Sequence, residues 1–393
     1  MRFGDIASYS RGLTFAKGDV ASSSTKRVLR SNNIDLQTHS LNLEDVACLK
    51  ETFVIPEEKK LHKGDIFICM SNGSTKHLGK VAFVDSDMEY AFGGFMGAIH
   101  PDSSKVFPKY SFYACLSSEY RRFLESILNG ININNLKWSD LSNFKIPVPS
   151  LSEQERIVAE LDLLSGIIDK QKAQRQELDI LALSIYHQMF GDNGEKRVEV
   201  QTVCLSDIAS FERGLVYKGG DEVNISSNTV LRSNNIDLKS YTLSLDDIKY
   251  LREDFIIPEN KILKKGDIFI CMSNGSKSHL GKVALIESDS HYAFGGFMGA
   301  IKANLNSILP VYLYYSFRTP EYASFLQSIC KGANINNLKF SELGAFRIML
   351  PAMAQQELFA EKIEAINLQK EMINRSIVES QQLFNYTMDK YFG

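Results

Sequence analysis

The sequence repeats itself at one constant offset. Val28–Leu36 reads VLRSNNIDL, and the same letters return at Val230–Leu238, so that Arg30 and Arg232 stand 202 residues apart. The same offset relates Lys63–Ser74 (KGDIFICMSNGS) to Lys265–Ser276, His77–Ala82 (HLGKVA) to His279–Ala284, and Tyr90–Ile99 (YAFGGFMGAI) to Tyr292–Ile301. It also relates Ile133–Lys137 (INNLK) to Ile335–Lys339, and Arg11-Gly12-Leu13 to Arg213-Gly214-Leu215. A solenoid is built from smaller and more numerous repeats. Two large copies in a chain of 393 residues instead suggest a fused homodimer with pseudo-twofold symmetry.

Each copy has two parts. The first holds short β-branched or aromatic runs between turn residues, GDIFICM and KVAFVD among them, and reads as mixed α/β. FGGFMGAI reads as a strand whose glycines permit a bulge or a close backbone approach. Pro108–Leu128 has helical periodicity, with Gly130 as its stop. The second part is one long helix. Apolar residues recur at Ile157, Leu161, Leu164, Ile168, Leu178, Ala182, Ile185 and Met189, interrupted by Gln171 and Arg175. The second copy follows with Phe359, Ile363, Ile366, Ile373, Ile377 and Phe384, interrupted by Lys370. This alternation of three and four is a heptad seam, and a seam needs a partner helix. About 35 residues would make a rod of roughly 50 Å. The expected division is a domain at 1–150, a helix at 151–190, a linker at 191–200, a second domain at 201–352 and a second helix at 353–393. The fold class is α/β (α+β): two pseudo-twofold-related mixed domains whose helices pair as an antiparallel coiled coil.

Composition excludes little. With 44% hydrophobic and 23% charged residues and a net charge of −3, the chain is an ordinary globular one. No apolar run is long enough to cross a bilayer, and MRFGDIASYS is no export signal. The six cysteines are scattered, with no C-x-x-C pair, and read as free thiols in a reducing cytoplasm. Catalytic signatures are lacking: no phosphate loop, no G-x-S-x-G elbow and no H-E-x-x-H. His77 and His279 lack neighbouring metal ligands. Glu57/Lys59 and Glu259/Lys261 resemble the tail of some nuclease motifs but lack a preceding acidic ligand, and solvated loops carry such pairs by chance. A duplicated metal-dependent nuclease and a helical scaffold without a DNA role are the competing readings.

Three repeated stretches are polar and poor in acid. RSNN supplies Arg30, Asn32 and Asn33 in one copy and Arg232, Asn234 and Asn235 in the other. Arginine suits the guanine O6/N7 edge and asparagine the adenine N6/N7 edge, each in bidentate geometry. The MSNGS loops supply Ser71, Asn72, Ser74, Lys76 and His77, and Ser273, Asn274, Ser276, Lys277 and His279. The third stretch supplies Asn132, Asn134, Asn135 and Lys137, and Asn334, Asn336, Asn337 and Lys339. Such loops can grip phosphate oxygens and read base edges. Asn, Gly and Ser are also plain turn formers, but three stretches kept in both copies favour a binding surface.

Leu136–Asp162, LKWSDLSNFKIPVPSLSEQERIVAELD, resembles the junction in specificity subunits of type I restriction–modification systems, where an aliphatic-Pro-x-Pro stretch leads into a long helix opening with Glu-Gln. Leu338–Ile366 repeats it more loosely, with Met349-Leu350-Pro351 for Ile146-Pro147-Val148-Pro149 and Gln355-Gln356 for Glu153-Gln154. The resemblance spans the whole chain. It implies a non-catalytic cytoplasmic subunit with two target-recognition domains, each reading half of a split site on double-stranded DNA. It implies two methyltransferase subunits docked on the helices, which bind S-adenosylmethionine and methylate adenine, while this chain holds no cofactor or metal. A translocating restriction subunit can join, and no membrane is involved. In one respect the chain departs from the family, whose two recognition domains usually differ. Near-identical copies on an antiparallel helix pair imply inverted half-sites, hence a near-palindromic target. The copies diverge at Lys17–Lys26 against Gly219–Asn228 and at Lys76 against Ser278, which could make the halves unequal at one position.

Overall fold

The computed structural model describes all residues except 37, 75–76, 129–134, 192–200, 277 and 330–336. The chain forms two units, Met1–Lys172 with Arg375–Gly393, and Ala173–Asn374.

In the first unit, β1 (Ala7–Arg11), β8 (Met96–Pro101), β5 (Ile66–Cys69) and β6 (Val81–Phe83) form an antiparallel sheet in that order. A second sheet runs β2 (Val20–Ala21), β4 (Ala47–Leu49), β3 (Arg27–Leu29) and β7 (Ala91–Phe92), with β3 and β7 parallel. The run IFIC is apolar at every position because β5 is covered on both faces. Ile66 and Ile68 join the core under the helices, while Phe67 and Cys69 pack with Leu29 and Phe92 of the second sheet. The stretch read as one strand at FGGFMGAI is two, β7 and β8, separated by a turn at Gly94-Phe95. Gly12 explains the repeated Arg-Gly-Leu: a Cβ there would lie 2.0 Å from the Gly93 carbonyl oxygen, and at Gly214 1.9 Å from that of Gly295.

The helix expected over Pro108–Leu128 is two, α1 (Pro108–Ala114) and α2 (Ser118–Leu128). Ser117 makes the break, its hydroxyl accepting the Tyr120 N–H at 3.1 Å as an N-cap does. Gly130 lies outside the described residues. A short α3 (Trp138–Leu141) precedes α4 (Leu151–Phe190).

The second unit repeats this plan. It opens on β9 (Thr202–Cys204) and α5 (Leu205–Ile208), and its sheets are β10 (Ala209–Arg213), β17 (Met298–Ala303), β14 (Ile268–Cys271) and β15 (Val283–Leu285), then β11 (Glu222–Val223), β13 (Lys249–Leu251), β12 (Asn228–Leu231) and β16 (Ala293–Phe294). Helices α6 (Pro310–Ser316), α7 (Pro320–Ile329) and α8 (Phe340–Gly344) follow, then β18 (Arg347–Met349), paired with β9, and α9 (Met353–Phe392).

The helix seams are closed inside each unit, and there the two helical segments run antiparallel. In the first unit Phe384, Met388 and Phe392 of α9 join the core of Ile157 and Leu161 of α4, and Tyr391 donates to Glu160 at 2.8 Å. Gln171, an interruption in the seam, donates to the Ser376 hydroxyl at 2.8 Å. In the second unit Tyr186 and Phe190 of α4 pack on Phe359 of α9, and Lys370, the interruption in the second copy's seam, pairs with Asp179 at 2.5 Å. Cys48, Cys69, Cys115, Cys204 and Cys271 are free thiols. Among the described residues no helix is long and apolar enough to cross a membrane.

Candidate nucleic-acid interface

Each RSNN stretch leaves the end of a strand and curls into one 3-10 turn, Ser31–Asn33 or Ser233–Asn235. The turn is held by its last asparagine. Asn33 accepts the Arg30 N–H at 2.8 Å and donates to the carbonyls of Asn42 and Asp45 at 2.7 and 2.9 Å. Asn235 does the same toward Arg232, Ser244 and Asp247. At 1% and 0% exposure these two amides face inward; they shape the loop while their neighbours face out. Asn32 and Arg30 share a carboxylate. Asn32 donates to Asp45 at 3.1 Å, and the Arg30 guanidinium lies 3.5 Å from the same oxygen. Asn234 bonds Asp247, with the Arg232 guanidinium at 3.2 Å. Such a carboxylate limits the freedom of both side chains and so prepares them to meet a planar partner.

The three polar stretches meet. Asn72 of the second loop donates to the Ser31 hydroxyl at 3.1 Å, and Asn274 to that of Ser233 at 2.8 Å. Their side-chain carbonyls accept the N–H groups of Ser74 and Ser276 at 3.0 and 2.8 Å. Backbone bridges then join Ser71 to Asn135 and Ser273 to Asn337. Asn135, Lys137, Asn337 and Lys339 are exposed, and His77 and His279 are partly buried behind the loop. Lys76, Lys277, Asn132, Asn134, Asn334 and Asn336 lie outside the described residues.

In the second unit the first two of these loops border a cavity of about 1200 Å³, lined by Arg232, Asn234, Ser273 and Asn274. Arg213, Tyr217 and Phe297 line it too, and their counterparts Arg11, Phe15 and Phe95 had no place among the residues expected from sequence. Their signal was the offset itself, which keeps Arg11/Arg213 and Phe95/Phe297 identical. Burial, with Glu222 adding to it, pushes the Tyr217 phenol upward and keeps it a neutral hydroxyl. In the first unit a smaller cavity of about 330 Å³ lies beside Arg11, Asn135 and Lys137.

The Glu-x-Lys pairs have structural partners. Each occupies a single 3-10 turn. Lys59 donates to the Arg11 carbonyl at 2.9 Å, Lys261 to that of Arg213 at 2.9 Å and also to Glu212, and Glu57 and Glu259 pair with Lys60 and Lys264. Among the described residues, no three His, Cys, Asp or Glu side chains group as metal ligands would.

The junction is built on one buried side chain. Gln154 is fully buried; it accepts the Phe107 N–H at 2.8 Å and donates to the Pro149 carbonyl at 2.9 Å. Gln356 does so toward Leu309 and Pro351 at 2.9 and 3.0 Å. The prolines, the glutamine and the first turn of the helix are thereby locked together.

The sequence model of the type I restriction modification DNA specificity domain matches residues 1–179 and 197–379. The chain is 26% identical over 366 residues to the StySPI type I restriction enzyme specificity subunit of Salmonella potsdam, covering 89% of this chain and 77% of that one. It is 24% identical over 365 residues to the EcoKI specificity subunit of Escherichia coli K12, with the same coverage. Its fold is similar to the solved S subunit of a type I restriction-modification system from M. genitalium, with a TM-score of 0.54 at 15% identity over 100% of this chain and 95% of that one.

Proposed function

The chain belongs to the type I restriction modification DNA specificity family, and from that premise we propose that its two units read the halves of one split, near-palindromic duplex site. It is a specificity subunit and not an enzyme. The observation that carries the proposal is the joining of three polar loops in each unit by the same contacts, Asn72 to Ser31 and Ser71 to Asn135 in one, Asn274 to Ser233 and Ser273 to Asn337 in the other, next to the same arginine and asparagine. Arg30 and Arg232 are the guanine-reading candidates, and Asn32 and Asn234 the adenine-reading ones. Lys137 and Lys339, exposed at the loop edge, suit phosphate oxygens.

Two adenine methyltransferase subunits dock on the helical segments, one per unit, and bring S-adenosylmethionine with them; the same assembly leaves room for a restriction subunit to join. Support comes from apolar side chains that the seams leave uncovered. Leu163, Val378 and Leu383 are exposed in the first unit, and Ile180, Leu358 and Met372 in the second. Exposed apolar residues are ordinary one at a time; several on the helical segments of each unit give a docking partner apolar area to cover.

The test is duplex binding by the full chain with its methyltransferase. Affinity for the cognate duplex should fall steeply with salt, because phosphate contacts release counterions. The isolated chain with a divalent metal should leave duplex uncut. Cutting would revive the nuclease reading, and salt-independent, sequence-blind behaviour would leave only a scaffold.

A further inference from the structure

At the turn between β7 and β8, and at its copy between β16 and β17, a phenylalanine stands out of the fold. Phe95 and Phe297 are each 72% exposed. The backbone beneath each ring is fixed on two sides. The Phe95 carbonyl accepts the N–H groups of Met70 and Ser71 at 2.9 and 3.0 Å, and that of Phe297 accepts those of Met272 and Ser273, both at 2.9 Å. Met96 N–H closes the turn onto the Gly93 carbonyl at 2.8 Å, and Gly12 N–H holds the Met96 carbonyl at 3.1 Å; the second unit repeats both bonds. The ring therefore rides on a turn that is hydrogen-bonded to the backbone opening the MSNGS loop. In the second unit it lines the cavity with Arg213, Arg232 and Asn274.

A single exposed phenylalanine needs no explanation on an ordinary surface. Here nearby positions have drifted between the copies, Thr14 to Val216 and Phe15 to Tyr217, while the exposed ring has kept both its identity and its exposure. A phenyl ring offers no charge to a phosphate and no hydrogen bond to a base. Toward the edges of bases in the major groove it has one apolar target, the C5 methyl of thymine.

We infer that Phe95 and Phe297 each pack on a thymine methyl in the half-site read by their own unit. This deepens the DNA-specificity reading and rests on it. The arginine and asparagine supply hydrogen bonds, and the ring, on a rigid turn beside them, supplies the apolar contact that separates thymine from cytosine.

The experiment uses the full chain assembled with its methyltransferase and a duplex carrying the site it methylates. Every target adenine faces a thymine, so each half offers at least one methyl. Each thymine is replaced in turn by deoxyuridine, which removes the C5 methyl alone. One position in each half should lose about three- to fivefold in affinity, as about 0.8 kcal/mol per buried carbon implies. On a duplex with deoxyuridine at that position in both halves, Phe95→Ala and Phe297→Ala should each erase one half's share of the loss and the double variant all of it, with Phe→Leu variants keeping part of it. The rings are exposed, so melting temperatures should not move. Variants that still distinguish thymine from deoxyuridine as the parent does would overturn the inference. So would an equal loss on both duplexes, the sign of a wedge between base steps. If the parent complex shows no preference for its site over unrelated duplex, the DNA-specificity reading fails first, and the inference with it.

Discussion

Two glutamines do for this chain what a cofactor or disulfide does for others: Gln154 and Gln356 fix the angle at which each recognition domain meets its helix. Replacing Gln154 by Ala leaves a buried N–H and a buried carbonyl unpaired, and should lower stability by about 1–3 kcal/mol in chemical denaturation. Gln356→Ala should match it, because its partners are equivalent. The binding surface calls for a different experiment. Arg30→Ala or Arg232→Ala should relax discrimination at one base pair of one half-site by about 1–3 kcal/mol, measured across a panel of single-substitution duplexes. A loss equal on all sequences would make the arginine a phosphate anchor instead. The sequence displayed RSNN as a unit, yet its four residues divide the work. Arg30 and Asn32 face outward, whereas Asn33 is buried and holds the turn. That division depends on the Asn42 and Asp45 carbonyls, which reach the turn only when the chain folds back, so no local pattern could reveal it.

At the scale of elements, the long helices were the most legible feature, since a heptad seam is a local periodicity. The expected spans 151–190 and 353–393 lie beside the observed Leu151–Phe190 and Met353–Phe392. The strand IFIC was equally plain, being apolar at every position. The breaks were not. Ser117 interrupts the helix after Pro108 because its hydroxyl caps Tyr120, and Gly94-Phe95 turns the chain because backbone donors from a distant loop hold it. The helical segments also carry a prediction about assembly. Tyr186 and Phe190 of α4 stand at the offset positions of Met388 and Phe392 of α9, and both pairs are buried in the core of their own unit. A fragment of about residues 1–195 lacks the α9 side chains, but a second copy can supply Tyr186 and Phe190 in their place. The fragment should therefore be a dimer by light scattering and still direct methylation with its methyltransferase. A fragment that stays monomeric with that partner present would contradict the fused-dimer origin.

At the scale of the whole molecule, the chain makes one unit from its two ends and the other from its middle, each completed by segments of both long helices. The sequence showed the duplication but not this exchange, because a seam marks the need for a partner helix without specifying which half meets which domain. The two proposed reading surfaces share Arg30/Arg232, Asn32/Asn234, Asn72/Asn274 and Phe95/Phe297, and differ at positions that include Thr14/Val216, Phe15/Tyr217, Lys17/Gly219, Val20/Glu222 and Lys76/Ser278. Near-identical surfaces should select near-identical half-sites, with any inequality confined to the bases beside those differing side chains. The most direct measurement is a genome-wide map of methylated adenines in host cells with and without this gene. Loss on deletion of one split motif, whose halves are inverted repeats to within about one base pair, is the expected result. A lost motif with unrelated halves would contradict the shared-surface explanation of the repeat, and an unchanged map would contradict the specificity function itself.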